Sequence, residues 1–201
     1  MELWNIEKEY LDAGVPYVCG VDEAGAGPLA GPVYAAAVIL PPYCEIPGLN
    51  DSKKLTEKKR EALFAVICEK AVAYSIARVE SEEIDDTDIL SARMKAMQLA
   101  IDALPVKVDF ALIDGNRDKG RSAAIITDHR CIVKGDSLSA SIAAASVLAK
   151  VSRDHHMLEM AQKYPEYCFE QHKGYGTKAH YEALRLHGPS PIHRRTFLKN
   201  L

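Results

Sequence analysis

No stretch of this 201-residue chain approaches the ~20 consecutive apolar residues that cross a bilayer, which excludes a spanning helix. The segment Met1–Glu9 has neither the basic start nor the apolar stretch of a signal peptide, and a cytoplasmic setting is expected. Cysteine pairing is missing too. Cys19, Cys44, Cys68, Cys131 and Cys168 are odd in number and scattered, with no Cys-x-x-Cys, so neither a disulfide framework nor a zinc site is indicated. They are expected as reduced thiols, mostly in the core. An excess of one charge is also absent: 25 basic against 28 acidic residues give a net −3, no global sign of a polyanion binder. No heptad seam or surplus apolar stripe signals an oligomer, and a monomer is expected.

What is present is the composition of a globular protein, 48% apolar and 26% charged. Charge is unevenly placed. From His172 to Leu201, Lys173, Lys178, Arg185, Arg194, Arg195 and Lys199 face only Glu182, which makes the tail a basic patch. Short apolar runs at 17–21, 33–40, 71–79, 110–113 and 131–133 read as strands. Helices are expected from a Thr56 cap to Ala71, from Asp88 to Leu104, from Ser139 to about Tyr164, and from Thr177 to His187 before Gly188-Pro189. In the second of these, Leu90, Met94, Met97, Ile101 and Leu104 recur at helical spacing. The acids Glu80, Glu82, Glu83, Asp85, Asp86 and Asp88 fit a solvated helix entry better than a metal site. The adjacent His155 and His156 face apart on a helix and are expected in solvent; His172 is a candidate backbone or phosphate contact. The order of elements suggests an α/β sheet layer followed by a small helical piece.

Strand ends carry the chemistry. Asp22 and Glu23 close the first run, Asp114 the fourth, and Asp136 follows the fifth. Convergence of all four on one rim of the sheet would set up six repulsions of about 3 kcal/mol each at ~5 Å and an effective dielectric of ~20, so cations or protons would have to neutralise them. An all-oxygen set favours Mg²⁺ or Mn²⁺ over zinc, and two such ions suit in-line phosphodiester hydrolysis. Singly, Asp114-Gly115 is also an ordinary turn and Asp136 an ordinary helix cap. The loop Gly25-Ala26-Gly27-Pro28-Leu29-Ala30-Gly31-Pro32 can bring backbone close to a phosphate or sugar, or can be a hairpin turn; it does not match a dinucleotide fingerprint.

The segments Asp22–Val33, Asp51-Ser52-Lys53, Ile113–Asn116, Lys134-Gly135-Asp136, Ser141–Ser146 and His172–Thr177 together resemble, in order, the signature segments of bacterial type 2 ribonuclease H, ribonuclease HII. The resemblance spans about Val18 to the C-terminus. It implies an α/β, ribonuclease H-like mixed five-stranded sheet flanked by helices (residues 1–160) with a small C-terminal helical substrate-binding extension (161–201). It implies an endonuclease, dependent on two Mg²⁺ or Mn²⁺ ions, that hydrolyses the RNA strand of RNA/DNA hybrids. The same enzyme would cut 5′ of single ribonucleotides in duplex DNA, serving ribonucleotide and primer removal, and leave 3′-hydroxyl and 5′-phosphate ends. Asp22, Glu23, Asp114 and Asp136 are the implied metal-binding catalytic acids. Gly25, Ala26, Gly27 and Lys53 are implied substrate contacts, and Tyr175 is implied to stack beside the junction. The sequence departs from the family in two places. The loop typically reads Gly-Arg-Gly where this chain has Ala26, and the interval from Asp114 to Asp136 is a few residues longer than usual.

Overall fold

A computed structural model describes residues 2–199. In chain order the elements are α1 (Asn5–Asp12), β1 (Val18–Ala24), β2 (Val33–Ile39), α2 (Glu57–Lys70), β3 (Ala73–Val79), α3 (Ser81–Asp86) and α4 (Ile89–Asp102). β4 (Phe110–Asp114), β5 (His129–Ile132), α5 (Ala140–Lys163), α6 (Phe169–His172) and α7 (Lys178–His187) follow. The strands form one mixed sheet in the order β3-β2-β1-β4-β5. β1–β2 and β2–β3 are antiparallel, while β1–β4 and β4–β5 are parallel.

The helix starts are set by side-chain caps. Thr56, Asp88, Ser139 and Thr177 each accept a hydrogen bond from the backbone amide three residues on, meeting donors that the first helical turn leaves unpaired. β2 is buried along its whole length, as expected of a strand covered on both faces. The α4 stripe Met94, Met97 and Ile101 packs under one face with Val21, Ala35 and Ile113. The Ala-rich half of α5 packs on the other with Ala36, Val38 and Ile67. That second contact is unusually close. A Cβ built on Gly20 of β1 would lie 2.1 Å from the Ser141 backbone carbon, so only glycine lets α5 lie down on the central strand. Glu7 of α1 fixes the start of α5, accepting from Ser139 Oγ at 2.6 Å, Ser141 Oγ at 2.7 Å and Ser141 N at 2.9 Å. A carboxylate at a helix N-terminus is favoured by the dipole as well as by these bonds.

Several boundaries differ from the sequence expectations. β5 begins at His129, because parallel pairing aligns His129 with Ala111, and Val133 lies beyond it, 61% exposed. The polar His129-Arg130 pair hid the start of this edge strand. The acidic run is not wholly solvated: Asp85 accepts from the backbone amides of Arg195 at 2.7 Å and Thr196 at 2.9 Å, tying the tail to α3. Nor is the tail wholly a surface patch, since Arg194 is fully buried. His156 is half-buried against Tyr34 and Arg78 instead of lying in solvent, while His155 pairs with Glu61 at 2.7 Å. Only Cys19 is buried, its thiol pushed up to about 12 by burial; the other cysteines are partly exposed. The segment between Asp114 and Asp136 packs on α4, where Gln98 Oε1 accepts from Ile126 N at 2.8 Å and Gln98 Nε2 donates to Thr127 Oγ1 at 3.0 Å.

Candidate active site

Register brings the acids together. Val21 pairs with Ile113 across parallel β1 and β4, so the next residues, Asp22 and Asp114, leave adjacent strands at the same level and toward the same face. Asp136 arrives from the neighbouring strand through a turn in which Lys134 takes a left-handed conformation, with φ of 58°. That turn aims two amides at Asp114: Oδ1 accepts from Gly135 N at 2.7 Å and from Asp136 N at 3.4 Å. As a result Asp22, Asp114 and Asp136 each offer a carboxylate oxygen, and these oxygens all lie within 4.8 Å of one another.

Glu23 does not join that cluster. Pleating turns Glu23 away from Asp22 toward Arg93 of α4, whose Nη2 lies 2.6 Å from Oε1, while Glu23 still lines the end of the same cleft. Burial, with the neighbouring acids Glu23 and Asp114, holds the Asp22 carboxyl well above its ordinary range. Asp136 is raised by burial, Asp114 and Asp51. Glu23 is raised by burial, against the pull of Arg93. Lys53 is the counter-charge on this side. Asp51 accepts from its amide at 2.9 Å, and its Nζ stands 3.5 Å from Asp136 Oδ2. Burial alone would lower the ammonium, but Asp22 and Asp136 outweigh it and hold Lys53 above its usual value.

The cleft beside these acids is walled by Gly25, Ala26, Gly27, Ser52, Ser146 and Tyr175, among others. Tyr175 is 46% exposed, with its ring beside Gly27. It is delivered there by Gly174, whose φ of 87° resists a side chain, as does Ala30 O, which would lie 2.6 Å from a Cβ built there. His172 is a backbone contact: Nε2 meets Tyr167 O at 2.9 Å and Nδ1 accepts from Gly174 N at 3.2 Å.

Two buried arginines shape the loop, Arg153, which the sequence reading did not single out, and Arg194, which it took for part of a basic surface patch. Arg153 donates to Pro32 O, Ala30 O and Lys173 O. Arg194 donates to Gly25 O at 2.6 Å, Ala26 O at 2.9 Å and Gly31 O at 2.8 Å. Ser146 was missed as well; it lines the cleft beside Asp22, and its hydroxyl lies 2.7 Å from Ser52 Oγ. The available signal was a polar stripe of Ser146, Lys150, Arg153 and Asp154, at helical spacing and starting within the Ala-rich half of α5.

Beneath the tail, hydrogen bonding fixes three neutral imidazoles. His180 Nδ1 faces Tyr175 O, so its Nε2 must accept from His193 Nε2, 2.9 Å away. His193 Nδ1 in turn accepts from Ser190 N, and His172 Nδ1 from Gly174 N. An added proton on any of them would face a donor. Burial is the leading cause that lowers all three, and His193 falls to about 4. A histidine with a depressed folded value contributes stability that is complete above its unfolded value and fades as pH falls toward the folded one. Tm should therefore drop as pH is lowered from 6.5 to about 4, with amides 188–198 losing hydrogen-exchange protection first. His193→Gln should flatten that dependence; a pH-insensitive Tm in the parent would contradict it.

A mixed five-stranded sheet with acids gathered at adjacent parallel strand ends defines a ribonuclease H-like protein. The ribonuclease H2 structure from Pyrococcus horikoshii OT3 superposes with a TM-score of 0.72 at 27% identity, covering 89% of this chain and 92% of that one. The family profile "Ribonuclease HII" matches residues 19–200. Ribonuclease HII of Caldicellulosiruptor bescii is 50% identical over 198 residues, 98% of this chain and 94% of its own. That of Marinomonas sp. is 56% identical over 180 residues, 90% and 89% of the respective chains. The chain belongs to the ribonuclease HII family: it is an endoribonuclease of ribonuclease H type 2.

Proposed function

We propose that this enzyme hydrolyses the RNA strand of RNA/DNA hybrids and cuts 5′ of single ribonucleotides embedded in duplex DNA. Ribonucleotide and primer removal, in the cytoplasm and as a monomer, are the roles that follow. The observation that carries the reading is the meeting of Asp22, Asp114 and Asp136, the first two of which line a cleft shared with Tyr175 and the Gly25–Gly27 loop. The donor set fits hard divalent cations. It is all oxygen, and the raised Asp22 and Asp136 carboxyls mark a negative site short of positive charge. Asp22, Asp114 and Asp136, with Glu23 alongside, would hold Mg²⁺ or Mn²⁺. Such ions, when bound, favour the negative charge that develops on the phosphodiester and its leaving oxygen.

The chain's own residues do the rest. Lys53 Nζ, reaching out from a 75% exposed side chain beside Asp136, is placed to bind a phosphate next to the cut. Tyr175 offers a ring for a base or sugar to stack on, worth about 1–3 kcal/mol per base, and sits where a neighbouring 2′-hydroxyl can be sensed. With the strand so held, water adds to phosphorus, the P–O3′ bond breaks, and 3′-hydroxyl and 5′-phosphate ends remain. The C-terminal extension, residues 161–201, supplies Tyr175 and secures the loop through Arg194. The test is a labelled duplex carrying one ribonucleotide, beside a full RNA/DNA hybrid, titrated with Mg²⁺ or Mn²⁺. Scission 5′ of the ribonucleotide is expected; no scission of either duplex overturns the proposal.

Ala26 marks what this loop lacks. Its carbonyl is held by Arg194, so the backbone course is set, but the side chain carries no guanidinium toward a phosphate. Ala26→Arg should raise kcat/KM on the single-ribonucleotide duplex by about tenfold, the worth of one charge-assisted contact. An unchanged value would show the position to be irrelevant here.

A further inference from the structure

Arg93 contributes no wall to the cleft, yet it grips the one acid of the site that stands apart from the others. A guanidinium and a carboxylate free to choose their geometry commonly meet through two parallel bonds. Here they meet through one. Glu23 Oε2 and Arg93 Nε are both shielded from solvent, and neither has a hydrogen-bond partner. Such an orphaned pair of atoms is uncommon in a native interior, because each forgoes its hydration without a replacement. The two side chains are well covered, 11% exposed for Glu23 and 26% for Arg93, so solvent does not make up the loss.

The surroundings say what the free oxygen is for. Glu23 lines the same cleft as Asp22 and Asp114, with a like charge on Asp114 close enough to oppose its ionisation. Arg93 and Lys53 both pull on Glu23 as cations; Ala26 in the loop adds none. An ion pair that served only to staple α4 to β1 would gain from closing its second bond. The one-armed grip gives that bond up and leaves an oxygen without a donor.

We propose that Arg93 is a positioning residue: it holds one oxygen of Glu23 from the α4 side so that the other is presented to a divalent cation shared with Asp22 and Asp114. The inference rests on the metal-site reading above and extends it to a residue outside every motif of the sequence. Arg93 touches no substrate and acts through Glu23. Its signature is therefore a change in metal affinity and turnover with little change in substrate affinity.

Arg93→Met and Arg93→Lys in the full chain provide the test. Calorimetric titration with Mn²⁺ alone, without nucleic acid, should show about tenfold or more weaker binding for Arg93→Met, with kcat on the hybrid falling by a similar factor. KM for the hybrid should stay within about twofold, and Arg93→Lys should regain most of both losses. A folded Arg93→Met with the parental Mn²⁺ isotherm and kcat overturns the proposal. So does equal failure of both variants in step with a fall in Tm, which would assign Arg93 a stapling role only. Asp114→Asn run alongside separates the two levels. If it binds Mn²⁺ and cuts like the parent, the metal-site reading itself fails; if it loses both while Arg93→Met loses neither, only the role of Arg93 falls.

Discussion

Asp114→Asn is expected to lower kcat on an RNA/DNA hybrid by about 10³-fold or more, several kcal/mol of lost charge stabilisation, while raising the Tm of the metal-free protein. The second half distinguishes a catalytic acid from a structural one. Asn keeps the Oδ1 that accepts from Gly135 and Asp136, so the turn carrying Asp136 should hold its shape. What disappears is one negative charge from three carboxylates within 4.8 Å, the crowding that helps to lift Asp22 and Asp136 out of their ordinary range. The rise in Tm that Mn²⁺ brings to the parent by binding only the folded state should vanish in the variant. Duplex affinity should be nearly unaffected. Asp22→Asn should behave alike, since the Glu23 amide can still bond an amide oxygen. Thermal scans with and without Mn²⁺, beside single-turnover cleavage, check both. Retained activity in the two variants would reject the metal-binding assignment.

The second large effect is remote from the acids. Arg194→Ala removes a buried guanidinium that satisfies the carbonyls of Gly25, Ala26 and Gly31 together, and it leaves those oxygens without donors in a dry interior. The expected loss is about 4 kcal/mol, or about 10 °C in Tm for a chain of this size. The cleft loop should lose its course with it, and a misplacement of ~1 Å costs about 10²-fold in kcat/KM. Arg194→Lys should rescue little, because a single ammonium cannot serve a fork of divergent carbonyls. Arg185→Ala, on the exposed face of α7, is the stability control and should match the parent in Tm. An Arg194→Ala protein with parental Tm would sink the clamp.

Much of the architecture was legible because it is local. Caps at Thr56, Asp88, Ser139 and Thr177 and the Met94–Ile101 stripe announce themselves within a few residues, and the structure places helices there. β5 was displaced in the reading because an edge strand opening on His129-Arg130 has no apolar signature. For the site, strand-end acids were visible, but the parting of Glu23 from Asp22 follows from pleating once the strand continues through both. Arg93, Arg153 and Arg194 were invisible for a different reason. Arginine in a sequence reads as surface or as ligand contact, and only the fold reveals that Arg153 and Arg194 are spent on the protein's own carbonyls and Arg93 on Glu23.

The Arg194 clamp also bears on synthesis. It joins the loop that follows β1 to a residue 163–169 positions later, almost the whole length of the chain. A nascent polypeptide at ~5–20 residues per second carries its acids long before the side chain that braces the loop beside them has left the ribosome. The bracing of that loop is therefore a contact of very high sequence separation, made only after the local strand and helix pairings that carry the acids.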